Sequence, residues 1–196
     1  MKEILVLYYS QNGSTKELAK IIARGINSIE GVNAKLKTVP SSNSLQEEYL
    51  KIDEDEYVTL SDLEKCDALA LGSPVHFGTM ASSLKYFLES TSSQWLTGAL
   101  VGKPACVFTS SSSLHGGQES CLLSMILPLL HHGMLILGIP YTNTQLLTTT
   151  SGGTPYGVTH FESPVGNVKL TKEERELAFN QGVRIANVCK FLNHKG

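Results

Sequence analysis

The chain has 196 residues, of which 41% are hydrophobic, and this length suits one well-buried core, so we expect a single domain spanning residues 1–196. Its formal net charge of −2 excludes both the basic surface that nucleic acids require and the strongly acidic surface that docks a cationic electron-transfer partner. Small molecules are therefore the expected partners.

Apolar runs and helical patterns alternate along the first part of the chain. Residues 3–9 form a continuous apolar run, which is typical of a strand covered on both faces. Apolar residues then recur at helical spacing over residues 18–26, and residues 33–39 alternate as an edge strand does. Residues 41–60 are polar and acidic, which indicates a long excursion.

The alternation continues through the middle of the chain. Residues 67–74 and 104–110 are again apolar strands, and a helical face extends from Met80 to Leu88. Residues 121–140 are apolar enough to resemble a membrane span, but they carry proline, two histidines and glycine near their centre, where lipid would make polar groups costly. We interpret them as a buried helix, beginning near Gln118 and ending at the His-His-Gly, followed by a fourth buried strand over residues 134–139.

The last third contains a glycine-rich loop and one long helix. Residues 150–160 show no periodicity, and a helix is expected over residues 171–193, with Thr171 and Glu174 in capping-box spacing. Strands that alternate with helices predict an α/β fold with a doubly wound parallel sheet. In such a sheet ligands bind beyond the carboxyl ends of the strands, so the candidate loops follow residues 9, 72, 110 and 139.

The first candidate loop, residues 10–15, is rich in hydroxyl and amide side chains. Three interpretations are open: a tight turn, an N-glycosylation acceptor at Asn12-Gly13-Ser14, or an anion cradle in which free N–H groups at a helix start hold a phosphate. In the simplest case Ser14 or Thr15 only caps the helix. Neither a triphosphate-binding loop nor a dinucleotide fingerprint is present, so a phosphate ligand would be a mononucleotide.

The next two loops add an aromatic residue and more hydroxyls. In residues 72–80, Pro74 stiffens the chain before Phe77, which either packs on a planar ligand or anchors its own loop. Residues 110–120 combine serines with two glycines and, taken alone, also fit a solvated turn. No G-x-S-x-G elbow supports a serine nucleophile there.

Five segments in this order and spacing resemble the tryptophan-repressor-binding-protein (WrbA) family of flavodoxin-like NAD(P)H:quinone oxidoreductases. They are SQNGST, GSPVHFGTM, SSSLHGGQES, LPLLHHGM and GGTPYG. The resemblance covers nearly the whole chain. It implies a five-stranded flavodoxin-like sheet ordered 2-1-3-4-5, FMN as cofactor, NADH or NADPH as co-substrate, a homotetramer, and two-electron reduction of quinones. Because both substrates would compete for one face of the flavin, we expect ping-pong turnover.

The resemblance also assigns site residues. His132 would lie beside the flavin as the catalytic residue, and Trp95 would reach the site of a neighbouring subunit, so that both contact substrate together with Phe77. Many family members have Thr-Arg where this chain has Val75-His76, which leaves the choice between NADH and NADPH open. The three FMN-binding loops would comprise Ser10, Gln11, Asn12, Gly13, Ser14, Thr15, Pro74, Val75, His76, Phe77, Gly78, Ser110, Ser111, Ser112, Ser113, Leu114, Gly116 and Gly117.

Ordinary structural roles remain open for two of these residues. His132 also suits the carboxyl end of a helix, where a cation is favoured, and Trp95 also suits plain packing. We expect Trp95 and Phe77 in loops at the ligand end of the sheet, where a closed oligomer would cover them. The two adjacent histidines are not in zinc spacing with a cysteine, so no metal site is expected.

Cysteine usage and the amino terminus indicate a cytoplasmic protein. The four cysteines are widely spaced, form no C-x-x-C and lie in or beside apolar segments, which suits reduced buried thiols. Residues 1–10 lack the features of a signal peptide. The functional alternatives are a flavodoxin-type one-electron carrier and a non-catalytic flavin-bound interaction protein.

Overall fold

The computed structural model describes residues 1–41, 55–162 and 169–192. Most of the polar excursion expected over residues 41–60 lies outside these ranges. In chain order the elements are β1 Lys2–Tyr8, α1 Ser14–Asn27, β2 Val32–Thr38, α2 Leu60–Lys65, β3 Ala68–Pro74, α3 Ser82–Glu89, α4 Ser92–Leu96, β4 Pro104–Ser111, α5 Gln118–His131, β5 Leu135–Ile136, α6 Gln145–Thr148, β6 Val158–Phe161 and α7 Lys172–Phe191.

The strands form one parallel sheet with helices on both faces. Their order is β2-β1-β3-β4-β5, and β6 also pairs with β4. The doubly wound topology and the order 2-1-3-4-5 are thereby confirmed. The three apolar runs predicted as doubly covered strands are β1, β3 and β4, and nearly all their residues are buried.

The fifth position of the sheet differs from the prediction, because two separate segments share it. The strand expected over residues 134–139 pairs only at Leu135–Ile136, and Leu135 is 46% exposed rather than buried. Residues 158–161, expected to be loop, pair with the second half of β4. The described residues thus give six strands, not five.

Hydrogen bonds explain why the chain changes segments there. Ile139 N–H donates to the Pro155 carbonyl instead of to β4, so the chain leaves the sheet. The side chain of Gln181 fills the gap: its Nε2 donates to the Val107 carbonyl of β4 at 3.2 Å, and its Oε1 accepts from Val158 N–H at 3.2 Å. Gln181, which is distant in sequence, therefore completes the hydrogen-bond ladder between β4 and its neighbour, and no local sequence pattern predicts this.

The core consists of two clusters, one on each face of the sheet. Alternate residues of β1 enter different clusters, since Ile4 and Val6 face α1 and α7 while Leu5 and Leu7 face α3 and α5. All four cysteines are free and buried in these clusters, which confirms the expected buried thiols. In the described part of the chain no helix has both the length and the apolar character needed to cross a membrane.

Candidate functional site

Three loops meet at the carboxyl ends of the neighbouring strands β1, β3 and β4. They enclose a cleft of about 90 Å³, and among the described residues that line it one lies outside the predicted set. Because parallel strands end at the same sheet edge, loops far apart in sequence converge there. The lining residues are Ser10, Gln11, Asn12, Ser14, Thr15, Pro74, Val75, His76, Ser110, Ser111, Ser112 and the unpredicted Glu162.

The β1–α1 loop is shaped to present backbone donors. Gly13 has φ of +94°, which favours glycine, and the space beside its Cα is open. Ser10 Oγ accepts hydrogen bonds from the N–H groups of Gly13 at 3.1 Å and Lys16 at 3.3 Å. Within the described ranges, no group accepts from the N–H groups of Ser14 and Thr15, and neither side chain caps α1. Two free donors thus remain at the positive end of the helix.

Hydroxyl groups tie this loop to the rest of the cleft. Thr15 Oγ1 lies 2.8 Å from Ser110 Oγ, which joins the first and third loops. Ser14 Oγ donates to Glu162 Oε2 at 2.7 Å. Among the described lining residues there is no lysine or arginine. An anion held here would therefore depend on N–H groups, hydroxyls and the helix dipole.

The loop after β3 projects an aromatic ring into solvent. His76 and Thr79 exchange backbone hydrogen bonds of 2.9 and 3.1 Å, which closes a tight turn. At the tip, Phe77 has φ of +50°, an uncommon conformation for a bulky residue, and Gly78 has φ of +80°. Phe77 is fully exposed, so it does not anchor its own loop. This geometry leaves a ring face free beside the cleft.

The second and third loops also touch each other through glycines that do not line the cleft. A Cβ added to Gly117 would lie 2.9 Å from Gly78 Cα, so the two loops pack this closely because residue 117 has no side chain. Ser120 Oγ donates to the Gly78 carbonyl at 2.8 Å. The remaining predicted residues that do not line the cleft are Gly13, Phe77, Ser113, Leu114 and Gly116.

His132 and Trp95 lie at the opposite end of the sheet. Helix α5 runs back from the cleft and ends at His131, directly before His132, and the carbonyl of Gly133 accepts a hydrogen bond from Gly102 N–H just before β4 begins. Trp95 belongs to α4, which is linked to α5 by a hydrogen bond between Thr91 and His132. The expectation that Trp95 occupies a loop at the ligand end is therefore wrong: α3 carries the chain away from that end before α4 starts.

The hydrogen bonds of Thr91 fix the tautomer of His132. Thr91 Oγ1 donates its one proton to the Leu88 carbonyl at 2.6 Å, so it accepts from His132 Nε2–H at 2.9 Å. His132 Nδ1 is buried and has no partner among the described residues. Burial and the neighbouring His131 lower the pKa of His132. The ring is accordingly a neutral acceptor at Nδ1.

Glu162 is the site residue that sequence reasoning missed. It directly follows β6, whose four residues include threonine and histidine and show no strand periodicity. Recognising that short strand would have placed Glu162 at the ligand edge. No group of three or more His, Cys, Asp or Glu side chains suited to a metal ion occurs in the residues that the structure describes.

Comparison with known proteins gives the family. Residues 3–145 match the family model described as NADPH-dependent FMN reductase. The chain belongs to this family. The match includes all three loops of the cleft and ends before β6 and Glu162.

Full-length relatives confirm the family resemblance inferred from the five segments, and a solved structure shares the fold. The chain is 36% identical to an NAD(P)H dehydrogenase (quinone) of Solidesulfovibrio magneticus, over 96% of this chain and 98% of the relative. It is 37% identical to a protein of the same name from Trichlorobacter lovleyi, over 98% and 99%. A WrbA-like flavodoxin from Agrobacterium tumefaciens shares the fold, with a TM-score of 0.69 at 20% identity over 97% of this chain and 99% of that one.

Proposed function

We propose that the chain is an FMN-dependent NAD(P)H:quinone oxidoreductase that acts as a single domain in the cytoplasm. The observation that carries this proposal is the three-loop cleft with free N–H donors at the start of α1, in a chain whose full-length relatives are named NAD(P)H dehydrogenase (quinone). One continuous sheet with a core on each face supports the single domain. Four buried free cysteines support a reducing compartment.

The donor set of the cleft fits a phosphate monoester. The N–H groups of Ser14 and Thr15 lack acceptors among the described residues, the hydroxyls of Ser10 and Ser110 are close by, and Gly13 leaves room for close approach. Phe77 and its loop would orient a planar ring beside the cleft. Bound FMN would supply the redox chemistry, accepting a hydride from NADH or NADPH and returning two electrons to a quinone.

The cofactor itself is the first testable point. We expect the purified protein to bind FMN and not FAD, because the cleft suits a terminal phosphate and the sequence has no dinucleotide fingerprint. Thr15→Ala is expected to weaken FMN binding by about 1–3 kcal/mol, since it removes a hydroxyl beside the phosphate. Absorption spectra and flavin fluorescence titration measure this, with the exposed Thr148→Ala as the control. Extraction of FAD, or failure to take up any flavin, would contradict the proposal.

Kinetics test the order of the reaction. If NAD(P)H and quinone take turns over one face of the flavin, initial-rate lines at several quinone concentrations are expected to be parallel. Titration with NADH and with NADPH in the same assay determines the preferred nicotinamide. Intersecting lines, or a long-lived one-electron form during quinone reduction, would favour a one-electron carrier. A flavin-bound protein without turnover would indicate an interaction protein.

We also propose a homotetramer in which copies complete each other's sites. Leu123, Leu127 and Leu130 form an exposed apolar stripe on α5, and Trp95 and Leu96 of α4 are exposed as well. A single molecule rarely leaves such a contiguous patch in water. Since α4 and the end of α5 lie away from the cleft of their own protomer, their side chains would have to reach the cleft of another copy.

His132 would act in such a shared site as a substrate contact. Its Nδ1 carries a lone pair and lacks a partner among the described residues. This atom is buried, so the shared site would have to make it accessible before it accepts a hydrogen bond from a hydroquinone hydroxyl. Donation of a proton to a quinone oxygen would require the charged ring, which burial disfavours.

Disrupting the apolar stripe tests the shared site. Leu127→Glu is expected to yield smaller species and to lower quinone turnover about tenfold or more, because a charge on the stripe opposes packing between copies. Leu147→Glu places the same change on an exposed leucine of α6 and is the control. Sedimentation and turnover are measured over one dilution series. A fully active monomer would refute the shared site and leave Trp95 as ordinary packing.

A further inference from the structure

We propose that Glu162 is an internal competitor for the phosphate cradle: in the flavin-free protein its carboxylate takes the place of the FMN phosphate, and it must withdraw when FMN binds. The inference rests on the proposed function for the identity of the ligand. Competition from Glu162 would make FMN a reversibly bound, exchangeable group rather than a permanently held one.

The first step is the position of the carboxylate. Glu162 Oε2 accepts a hydrogen bond of 2.7 Å from Ser14 Oγ, the hydroxyl at the first residue of α1. Glu162 also lines the same cleft as Ser10 and Thr15. Its oxygens bring negative charge to the amino end of that helix from outside the helix, where the dipole and the free N–H groups attract such charge. In the flavin-free protein the carboxylate thus lies where we propose that the phosphate of FMN binds.

The second step is that the backbone of Glu162 is held while its side chain can turn. Glu162 N–H donates to the Ser111 carbonyl at 2.8 Å, next to the β4–β6 pairing of Ser111 with Phe161. Phe161 N–H in turn donates to the buried carboxylate of Glu174 at 3.1 Å. Rotation about the side-chain bonds of Glu162 would withdraw the carboxylate without breaking these backbone hydrogen bonds, and it costs far less than moving a strand.

The third step is that carboxylate and phosphate cannot share the cleft. No lysine or arginine is among the described lining residues of the cleft to offset two negative groups. Like charges brought this close repel strongly away from bulk water. Each FMN molecule must therefore displace the carboxylate from Ser14, and the lost interaction and residual repulsion weaken its binding.

Flavin titration of three proteins tests the idea. Glu162→Gln keeps the shape but removes the charge, so the FMN Kd is expected to fall about tenfold or more, whereas the Kd of riboflavin, which has no phosphate, is expected not to change. Glu119→Gln removes a carboxylate from the first turn of α5, outside the cleft lining, and is expected to change neither Kd. The melting temperature of flavin-free Glu162→Gln is expected to fall by roughly 2 °C, because a helix start loses its anion.

Each outcome decides the proposal. An FMN Kd that is unchanged or weaker in Glu162→Gln overturns it, the weaker value showing that Glu162 helps to hold the phosphate. An equal gain for riboflavin also overturns it, because the effect would not concern the phosphate. If no variant binds flavin, the proposed function fails, and inorganic phosphate is then the probe: greater thermal stabilisation of Glu162→Gln than of the parent protein supports Glu162 as the competitor, and equal stabilisation refutes it.

Discussion

Replacing Glu174 with Ala is expected to lower the free energy of unfolding by about 3–5 kcal/mol, because it removes the acceptor of a buried hydrogen-bond network. Glu174 is fully buried, and its carboxylate accepts hydrogen bonds from His160 Nδ1 at 2.8 Å, Ser151 Oγ at 2.8 Å and Gly152 N–H at 2.9 Å. It also accepts from the N–H groups of Phe161 and Thr171. Removing it would leave the buried donors of His160 and Gly152 without an acceptor and would break three partly buried hydrogen bonds.

Urea denaturation of Glu174→Ala measures the loss, and Glu173→Ala is the matched control. Glu173 occupies the same first turn of α7, so its replacement removes a charge near the helix start without breaking a buried network. A difference between the two variants below about 1 kcal/mol would contradict the role assigned to the buried carboxylate.

Lowering the pH is expected to remove part of the stabilisation that Glu174 gives to the fold. Burial alone would raise the pKa of this carboxyl, but the hydrogen bond and attraction of His160 and the backbone donors outweigh burial and lower the pKa to about 2, from 4.5. A depressed pKa stabilises the fold fully above pH 4.5, and this stabilisation is lost as the pH falls from there towards 2. The difference in the free energy of unfolding between the parent protein and Glu174→Ala is therefore expected to decrease as the pH falls from 4.5 towards 2.

Sequence patterns predicted the parts of the fold that depend on burial from both sides. The runs that became β1, β3 and β4 are apolar throughout because helices cover both faces of the sheet. The loops that form the cleft were also predictable, since parallel strands bring their carboxyl ends to one edge of the sheet. Those two regularities place nearly all of the residues that line the cleft.

Features that depend on distant partners were not predictable in this way. β5 and β6 share one sheet position only because Gln181 bridges the break between them. Glu162 reaches the cleft only because β6 pairs with the end of β4. The location of Trp95 followed from the direction of α3, which no periodicity reveals. Each of these is a tertiary arrangement that short windows of sequence do not encode.

Gly182→Ala is expected to destabilise the protein by about 3 kcal/mol, although the same change in an exposed helix would gain about 1 kcal/mol. Helices α1 and α7 touch backbone to backbone at this point. A Cβ on Gly182 would lie 2.1 Å from the Ile22 carbonyl oxygen, and one on Gly25 would lie 2.1 Å from the Phe179 carbonyl oxygen. Backbone cannot turn aside as a side chain can, so the helices would have to separate.

Separation of these helices is also expected to displace cleft residues, because α1 carries Ser14 and Thr15 at its other end. We therefore expect Gly182→Ala to weaken FMN binding as well as folding, which urea denaturation and flavin titration of the same samples can measure. Asn187→Ala is the control, since it adds the same helix former at an exposed position of α7 and should be neutral or slightly stabilising. Gly182→Ala that is as stable as the control would mean that the two helices are not in contact through their backbones.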